Sequence, residues 1–422
     1  MTAVAILAFG TRGDVAPLTG LAQALTGDGL DVTLAAQAPY RGMIEAAGAR
    51  FALLPKDTEN ETRDWPAAQA LVDGGRATPS RAMLARMRDG LRGVGEAMAE
   101  AAEGADAILY QGPVGAVLGS HVAEAAGIPG AGVNFQPLHP TGDFSPPPLG
   151  TRSYGRVGNR IAWRAAGSAD RVYRPVVSEL RRNLGLPSEV TADPRESPCL
   201  YAFDEAVVPR PADWPGNAEV TGYLWPAVDP GWAPDARLVD FLADGPVVYV
   251  GIGSTATAHG DSLSRIVIDA AEQAGVRVVL QRGWARLNGG SAPHVLTVGD
   301  VPHEWLLPRV TAAVHHCGAG TSAAAVRAGI PTVPVPGIMD QPFWADRLHR
   351  LGVATAPLPR HTITVGGLTA ALESVLADQQ MRRAAVDLGV RVAATDGITA
   401  AAGFVTRLLG RPESPIETRR IL

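Results

Sequence analysis

Residues 311–348 read TAAVHHCGAGTSAAAVRAGIPTVPVPGIMDQPFWADRL, and their reading decides the fold. TAAVHH is a short apolar run ending in two histidines. CGAGTS is a tight turn, a helix is predicted to start near Thr321, and GIPTVPVP is a second apolar run. Strand, Gly-containing turn, helix and strand in this order build a parallel sheet. The turn then lies at the carboxyl edge of the sheet, where the first N–H groups of the helix are unpaired and its dipole is positive. That is an anion site. Gly318 and Gly320 admit close backbone approach, and His316 adds a donor for a diphosphate. Asp340 and Gln341 open the next helix at the same edge, where a carboxylate and an amide suit a ligand with several hydroxyls.

Working outward, GPVVYVGIGST (245–255) opens the same half of the chain, followed by the helix SLSRIVIDAAEQAG and the strands VRVVLQRG and HVLTVG. The N-terminal half repeats the scheme. AVAILAF (3–9) leads into the loop GTRGD, a helix read from PLTGLAQALTGDG and the strand DVTLAA. ADAILY, a helix near 114–127 and GIPGAGVNF continue it. Burial on both faces explains why these runs do not alternate. Between the series, residues 207–236 are rich in Pro and Trp and read as linker. The division is therefore 1–210, a linker at 211–236, and 237–397, with a closing helical segment at about 398–422 packing back on the first domain. The class is α/β: two doubly wound, Rossmann-like domains facing a central cleft, with ligands outside the carboxyl ends of the strands.

The chain has 422 residues. A single core rarely outgrows about 250–300 residues, which agrees with two domains. With 46% apolar and 19% charged residues, it buries enough surface to offset ordering entropy. The net charge is −5, with no basic stripe to suggest nucleic acid. A single lysine, Lys56, stands against 36 arginines, which reads as genomic composition because the arginines are dispersed. Cys199 and Cys317 form no CxxC pair, so neither a zinc cage nor a disulfide framework is expected. The N-terminal apolar run is short and lacks a basic flank, so it is a strand and no signal peptide. No run reaches the length of a membrane span, and a cytoplasmic location is expected.

Gly318-Ala319-Gly320-Thr321-Ser322-Ala323 also fits the dinucleotide fingerprint GxGxxA, with Asp340 as the ribose acid. His316 ahead of the turn, Asp340 at a helix start and the second-domain position argue against it. A purely structural Gly turn is the other alternative.

The 311–348 segment resembles the donor-binding signature of family 1, UDP-glycosyltransferase-like enzymes of GT-B fold, above all the bacterial natural-product and sterol-type members. GTRGDVAPLTGLAQAL (10–25), TGDFSPPPLG (141–150), ADWPGNAEVTGYLWP (212–226), GIGST (251–255) and GDVPHEWLLPRV (299–310) are similar to family motifs in order and spacing. The resemblance spans nearly the whole chain. It implies an inverting transferase moving a sugar from UDP- or dTDP-sugar to a small, lipophilic hydroxylated aglycone. It also implies roles at matching positions. His316 and the backbone of Gly318, Ala319, Gly320 and Thr321 would hold the diphosphate, and Ser254 would add a hydroxyl. Val301, Pro302, Arg282 and Trp284 would border base and ribose; Asp340 and Gln341 would bind the sugar. His315, His303 and Trp305 read as packing neighbours. A nucleotide-sugar epimerase and a non-catalytic helper are the competing functions.

Many relatives carry GHxxP where this chain has GDVAP (13–17), so Asp14 stands in for the usual His base, and Gln111 stands where the supporting Asp is expected. A carboxylate base forms no imidazolium needing such support. Its ordinary pKa is near 4, so desolvation must raise it. The competing reading is that Asp14 caps the first helix. The resemblance implies no metal, and no DxD occurs in the sequence. On the acceptor side the candidates are Thr11, Gln111, Asn134, Gln136 and His139. Met83 and Met87, at helical spacing with Leu84 and Leu91, serve either as core or as pocket wall. Residues 152–182 hold eight Arg against Asp170 and Glu179. That segment reads as a solvated helix face, or as a site that attracts an anionic membrane surface or an acidic acceptor. A monomer or a homodimer is expected.

Overall fold

The computed structural model describes residues 1–65, 69, 80–188, 196–254, 257 and 259–411. Thr255 of GIGST and the tail 412–422 lie outside them. The first sheet is formed by β1 (Ala3–Leu7), β2 (Asp31–Ala36), β3 (Arg50–Leu53), β4 (Ala107–Gln111), β5 (Gly130–Asn134), β6 (Cys199–Tyr201) and β7 (Ala218–Val220). Its order is β3-β2-β1-β4-β5-β6-β7. The second contains β8 (Val247–Gly251), β9 (Arg277–Gln281), β10 (Val295–Val298), β11 (Ala312–His315) and β12 (Thr332–Pro334), in the order β10-β9-β8-β11-β12. Every named pairing is parallel. Strand order reverses between β1 and β4 and between β8 and β11, and such switch points open a crevice at the carboxyl edge.

The helices that matter for the site are α1 (Arg12–Gly27), α2 (Gly112–Ala126), α3 (Gly155–Gly167), α4 (Ala319–Arg327), α5 (Gln341–Arg350), α6 (Gln379–Ala393) and α7 (Gly397–Leu408). Apolar clusters fill both faces of each sheet. A further cluster joins the domains: Phe144, Tyr201, Phe203 and Trp214 of the first meet Phe343, Trp344 and Leu348 of the second. α7 returns to the first domain, burying Ala401, Phe404 and Val405 in the cluster that holds Leu18 and Leu21 of α1. The stretch Gln379–Leu408 is long and apolar enough by composition to cross a membrane, yet Leu388 and Val392 are buried in the inter-domain cluster.

Two expectations need correction. α1 begins at Arg12, five residues before Pro17, so Asp14 sits in the first helical turn rather than in a loop. Pro17 is accommodated inside the helix, and the Thr11–Asp14 capping box marks the true start. The linker is shorter than 211–236. β7 lies within that range and pairs with β6, and Trp214, Tyr223 and Leu224 are buried, so the first domain runs past residue 210.

Candidate active site

On the first domain, Asp14 is held from three directions. The Thr11 amide and hydroxyl donate to its Oδ2 at 2.6 and 3.0 Å. Gln111 Nε2, from the end of β4, donates to Oδ1 at 3.1 Å. Burial raises the Asp14 pKa above the ordinary carboxylate value, and the Thr11 and Gln111 hydrogen bonds pull it partly back. Capping therefore does not use up the carboxylate in this rotamer. A carboxylate has about four lone-pair positions, and these three donors leave one for an incoming hydroxyl.

On the second domain the loops after β8 and β11 meet. His315 at the end of β11 pairs in register with Gly251 at the end of β8. The His316 imidazole is packed between Gly253 and Gly318, where a Cβ on either would lie 2.5 Å from a ring atom. Gly253 also adopts φ +58°. Burial first, then the charge of Arg360, depresses His316 to a pKa of about 3, so it is neutral at pH 7. Gly318 is the N-cap of α4, and Ser322 N donates back to its carbonyl at 2.9 Å. That leaves the N–H groups of Ala319, Gly320 and Thr321 facing outward from the first turn. Cys317 and Met339 both hold positive φ of +61° without being glycine, at the loops leading into α4 and α5. Such strain clusters at ligand sites.

Asp340 is the N-cap of α5. Trp344 Nε1 donates to its Oδ2 at 2.8 Å, and Gln341 Oε1 accepts from Gly337 N at 2.8 Å. Burial pushes Asp340 up to about 6, and the charge of Asp14 across the cleft adds to the rise. Trp284 N donates to Gly253 O at 3.3 Å, which lays the QRGW loop on the glycine loop carrying Ser254. Arg282 is exposed, with its backbone N bonded to Val298 O at 3.0 Å. Val301 and Pro302 are half-buried ahead of the short helix His303–Leu306. His303 Nε2 lies 3.2 Å from Tyr249 Oη and Trp305 packs edge-on against Trp232, so both are packing residues. His315 is fully buried, with Nδ1 accepting from Cys317 N.

The acceptor side departs further from expectation. His139 is no cleft residue: it is buried, 2.6 Å from the Tyr201 hydroxyl and packed on Trp214. Asn134 is buried at the end of β5, where its side chain bonds the Cys199 thiol. Gln136 is half-buried with Oε1 unpartnered. Leu91 is core, whereas Met83 and Met87 are half-buried and outside the core clusters. Arg181 corrects the picture of a solvated basic face: it is buried and bonded to Glu124 at 2.5 and 3.0 Å.

Sequence reasoning missed four contributors. Trp344 stands four residues from Asp340, a helical spacing that signalled the pair. Arg360, buried and within Coulombic reach of His316, carried no motif. Arg12 pairs with Asp300 across the cleft at 3.3 Å, over 288 positions of sequence. Phe144 of the 141–150 loop touches Phe343 of α5 with centroids 5.3 Å apart.

Two doubly wound parallel domains meeting at their carboxyl edges make the GT-B fold, and the relatives below make the chain a glycosyltransferase of the hexosyltransferase type. Residues 266–400 match the family described as Erythromycin biosynthesis protein CIII-like, C-terminal domain. The chain is 35% identical over 418 residues to an O-mycaminosyltylonolide 6-deoxyallosyltransferase of Streptomyces fradiae, covering 94% of each chain. It therefore belongs to the family of macrolide and sterol glycosyltransferases. A sterol 3-beta-glucosyltransferase of Cryptococcus neoformans is 31% identical over 457 residues. That alignment covers 98% of this chain, which spans 28% of the length of that relative. Among solved structures, the glycosyltransferase SsfS6 of Streptomyces sp. SF2575, complexed with thymidine diphosphate, shares the fold. The TM-score is 0.61 at 21% identity, covering 96% of this chain and all of that one.

Proposed function

We propose that the protein is an inverting glycosyltransferase that moves a sugar from a UDP- or dTDP-linked donor to a hydroxyl of a small, lipophilic natural-product aglycone. The observation that carries this is Asp14, held by Thr11 and Gln111 at the carboxyl edge of the first sheet, with Asp340 at the start of α5 on the facing domain. Asp14 takes the acceptor proton as the oxygen attacks the anomeric carbon. Its desolvation supplies basicity that an exposed Asp lacks. Asp340 and Gln341 accept and donate to the sugar hydroxyls and hold the anomeric carbon in line. The leaving diphosphate collects negative charge at the N-terminus of α4, where three backbone N–H groups donate to it beside the neutral His316 ring. In this reading no metal ion is needed. The thymidine diphosphate bound by SsfS6 and the macrolide and sterol acceptors named for the relatives support the donor and acceptor classes.

The test is incubation with UDP- and dTDP-sugars and a panel of macrolide, polyketide and sterol aglycones. A glycoside whose anomeric configuration is inverted by NMR supports the proposal. Retained configuration, or an isomerised sugar without transfer, overturns it.

A further inference from the structure

We propose that α3 is an interfacial docking helix that seats the first domain on an anionic lipid surface. Four large apolar side chains within residues 149–161 face outward: Leu149, Tyr154, Val157 and Ile161 are 51%, 50%, 72% and 59% exposed. Val157 and Ile161 stand one turn apart on the same side of α3. Asn159 and Trp163 are its buried residues, so the exposed apolar stripe lies away from the core.

Charge names the partner. α3 carries Arg156, Arg160 and Arg164 and no acidic residue. Their four-residue spacing drifts by about 40° per step around the helix. The row therefore runs along one flank of the apolar stripe and ends beside Val157 and Ile161. Arg152, just upstream, lies over the Tyr154 ring with its guanidinium 5.5 Å from the centroid. Asp143 and Asp213 neutralise Arg156 and Arg160 in part, yet both arginines remain half exposed or more. An apolar stripe edged by arginines is the pattern of a helix lying in the headgroup layer of an anionic bilayer. A second copy of this chain would oppose arginines to arginines.

The inner face of the same helix holds the loop that closes on the second domain. Asn159 Nδ2 donates to Gly142 O and Trp163 Nε1 donates to Phe144 O, each at 2.9 Å. Phe144 in turn meets Phe343 of α5. Docking α3 thus holds the 141–150 loop about one helix diameter from the lipid surface, where a lipophilic acceptor partitions. Only that last step, acceptor delivery from the bilayer, rests on the transferase proposal.

The experiment is flotation of the full chain with vesicles of phosphatidylcholine alone or with phosphatidylglycerol, without donor or acceptor, so binding is read independently of transfer. Wild type is expected to float with anionic vesicles and to release at high salt. V157S/I161S is expected to lower the bound fraction about tenfold, and R152Q/R164Q to remove the preference for anionic lipid, both with unchanged melting temperatures. No flotation of wild type overturns the proposal, as does equal flotation of V157S/I161S. A wild-type dimer dispersed by V157S/I161S assigns the stripe to a second copy and overturns it too.

Discussion

Gln111 Nε2 donates to Asp14 Oδ1 at 3.1 Å, at the switch point where the strand order of the first sheet reverses. Leu7 and Tyr110 are in register on neighbouring parallel strands, so the chain segments that follow them leave the same edge side by side. Topology thus brings together two residues 97 positions apart. An amide there fixes the carboxylate without competing for its proton.

Asp14→Asn keeps an oxygen for the Thr11 amide but removes the proposed base. We expect kcat to fall by about 10²–10⁴-fold, the range for losing a general base. Affinity for UDP or dTDP by calorimetry is expected to stay within about twofold, because the proposed diphosphate site lies on the other domain. Near wild-type turnover would sink the base assignment.

Gln111→Leu removes a donor that lowers the Asp14 pKa. The carboxyl pKa then rises, and the base is deprotonated only at higher pH. The acid limb of kcat/KM is expected to move to higher pH. A limb that stays in place would show that another group titrates there.

Trp344→Phe takes the indole N–H from Asp340 Oδ2 and retains most of the ring's packing. Asp340, already raised to about 6, loses a bond that favours its charged form and becomes more protonated at neutral pH. KM for the sugar donor is expected to rise several-fold, while Kd for free UDP or dTDP, which carry no sugar, stays unchanged. Equal weakening of both would mean that α5 had shifted as a whole.

The parallel strands were legible in the sequence because burial on both faces turns them into continuous apolar runs. The turn ahead of α4 was legible because Gly318 and Gly320 beside His316 mark a tight strand-to-helix connection. The acceptor side was not. β6 and β7 are three residues each, too short to show periodicity, and β7 hides in a Pro- and Trp-rich stretch. Pro17 suggested a helix start and outweighed Thr11 and Asp14, whose capping box needs only the first turn. His139 follows a strand end, as a cleft residue would, but Tyr201 and Trp214 draw it into the core. Arg12 and Asp300 meet only because the domains close, which no local pattern encodes.

Gly253→Ala tests the packing around His316. The new methyl would sit 2.5 Å from the ring at a backbone φ of +58°, so the ring or the loop must move. Diphosphate affinity is expected to drop by about tenfold or more, and Asp14 on the other domain should be unaffected. Unaltered dTDP and UDP binding would remove His316 from the donor site.

The buried imidazoles set the acid limit of stability. His303 is lowered to about 4 and His315 and His316 to about 3, and burial also lowers His121. His303, His315 and His316 are neutral in the folded chain above these values and take a proton near pH 6.5 once unfolded. Their contribution is complete above pH 6.5 and is lost as pH falls toward 3–4. Asp14 and Asp340 act oppositely, since the folded chain protonates them first. These three imidazoles outnumber the two carboxyls, so stability falls with acid, by about 1.4 kcal/mol per pH unit for each net proton. The melting temperature is expected to decline steadily from pH 6.5 to 4.5. His303→Gln, which keeps a partner for the Tyr249 hydroxyl, should flatten that slope by about one proton. A melting temperature that holds or rises over this range would contradict neutral burial of these histidines.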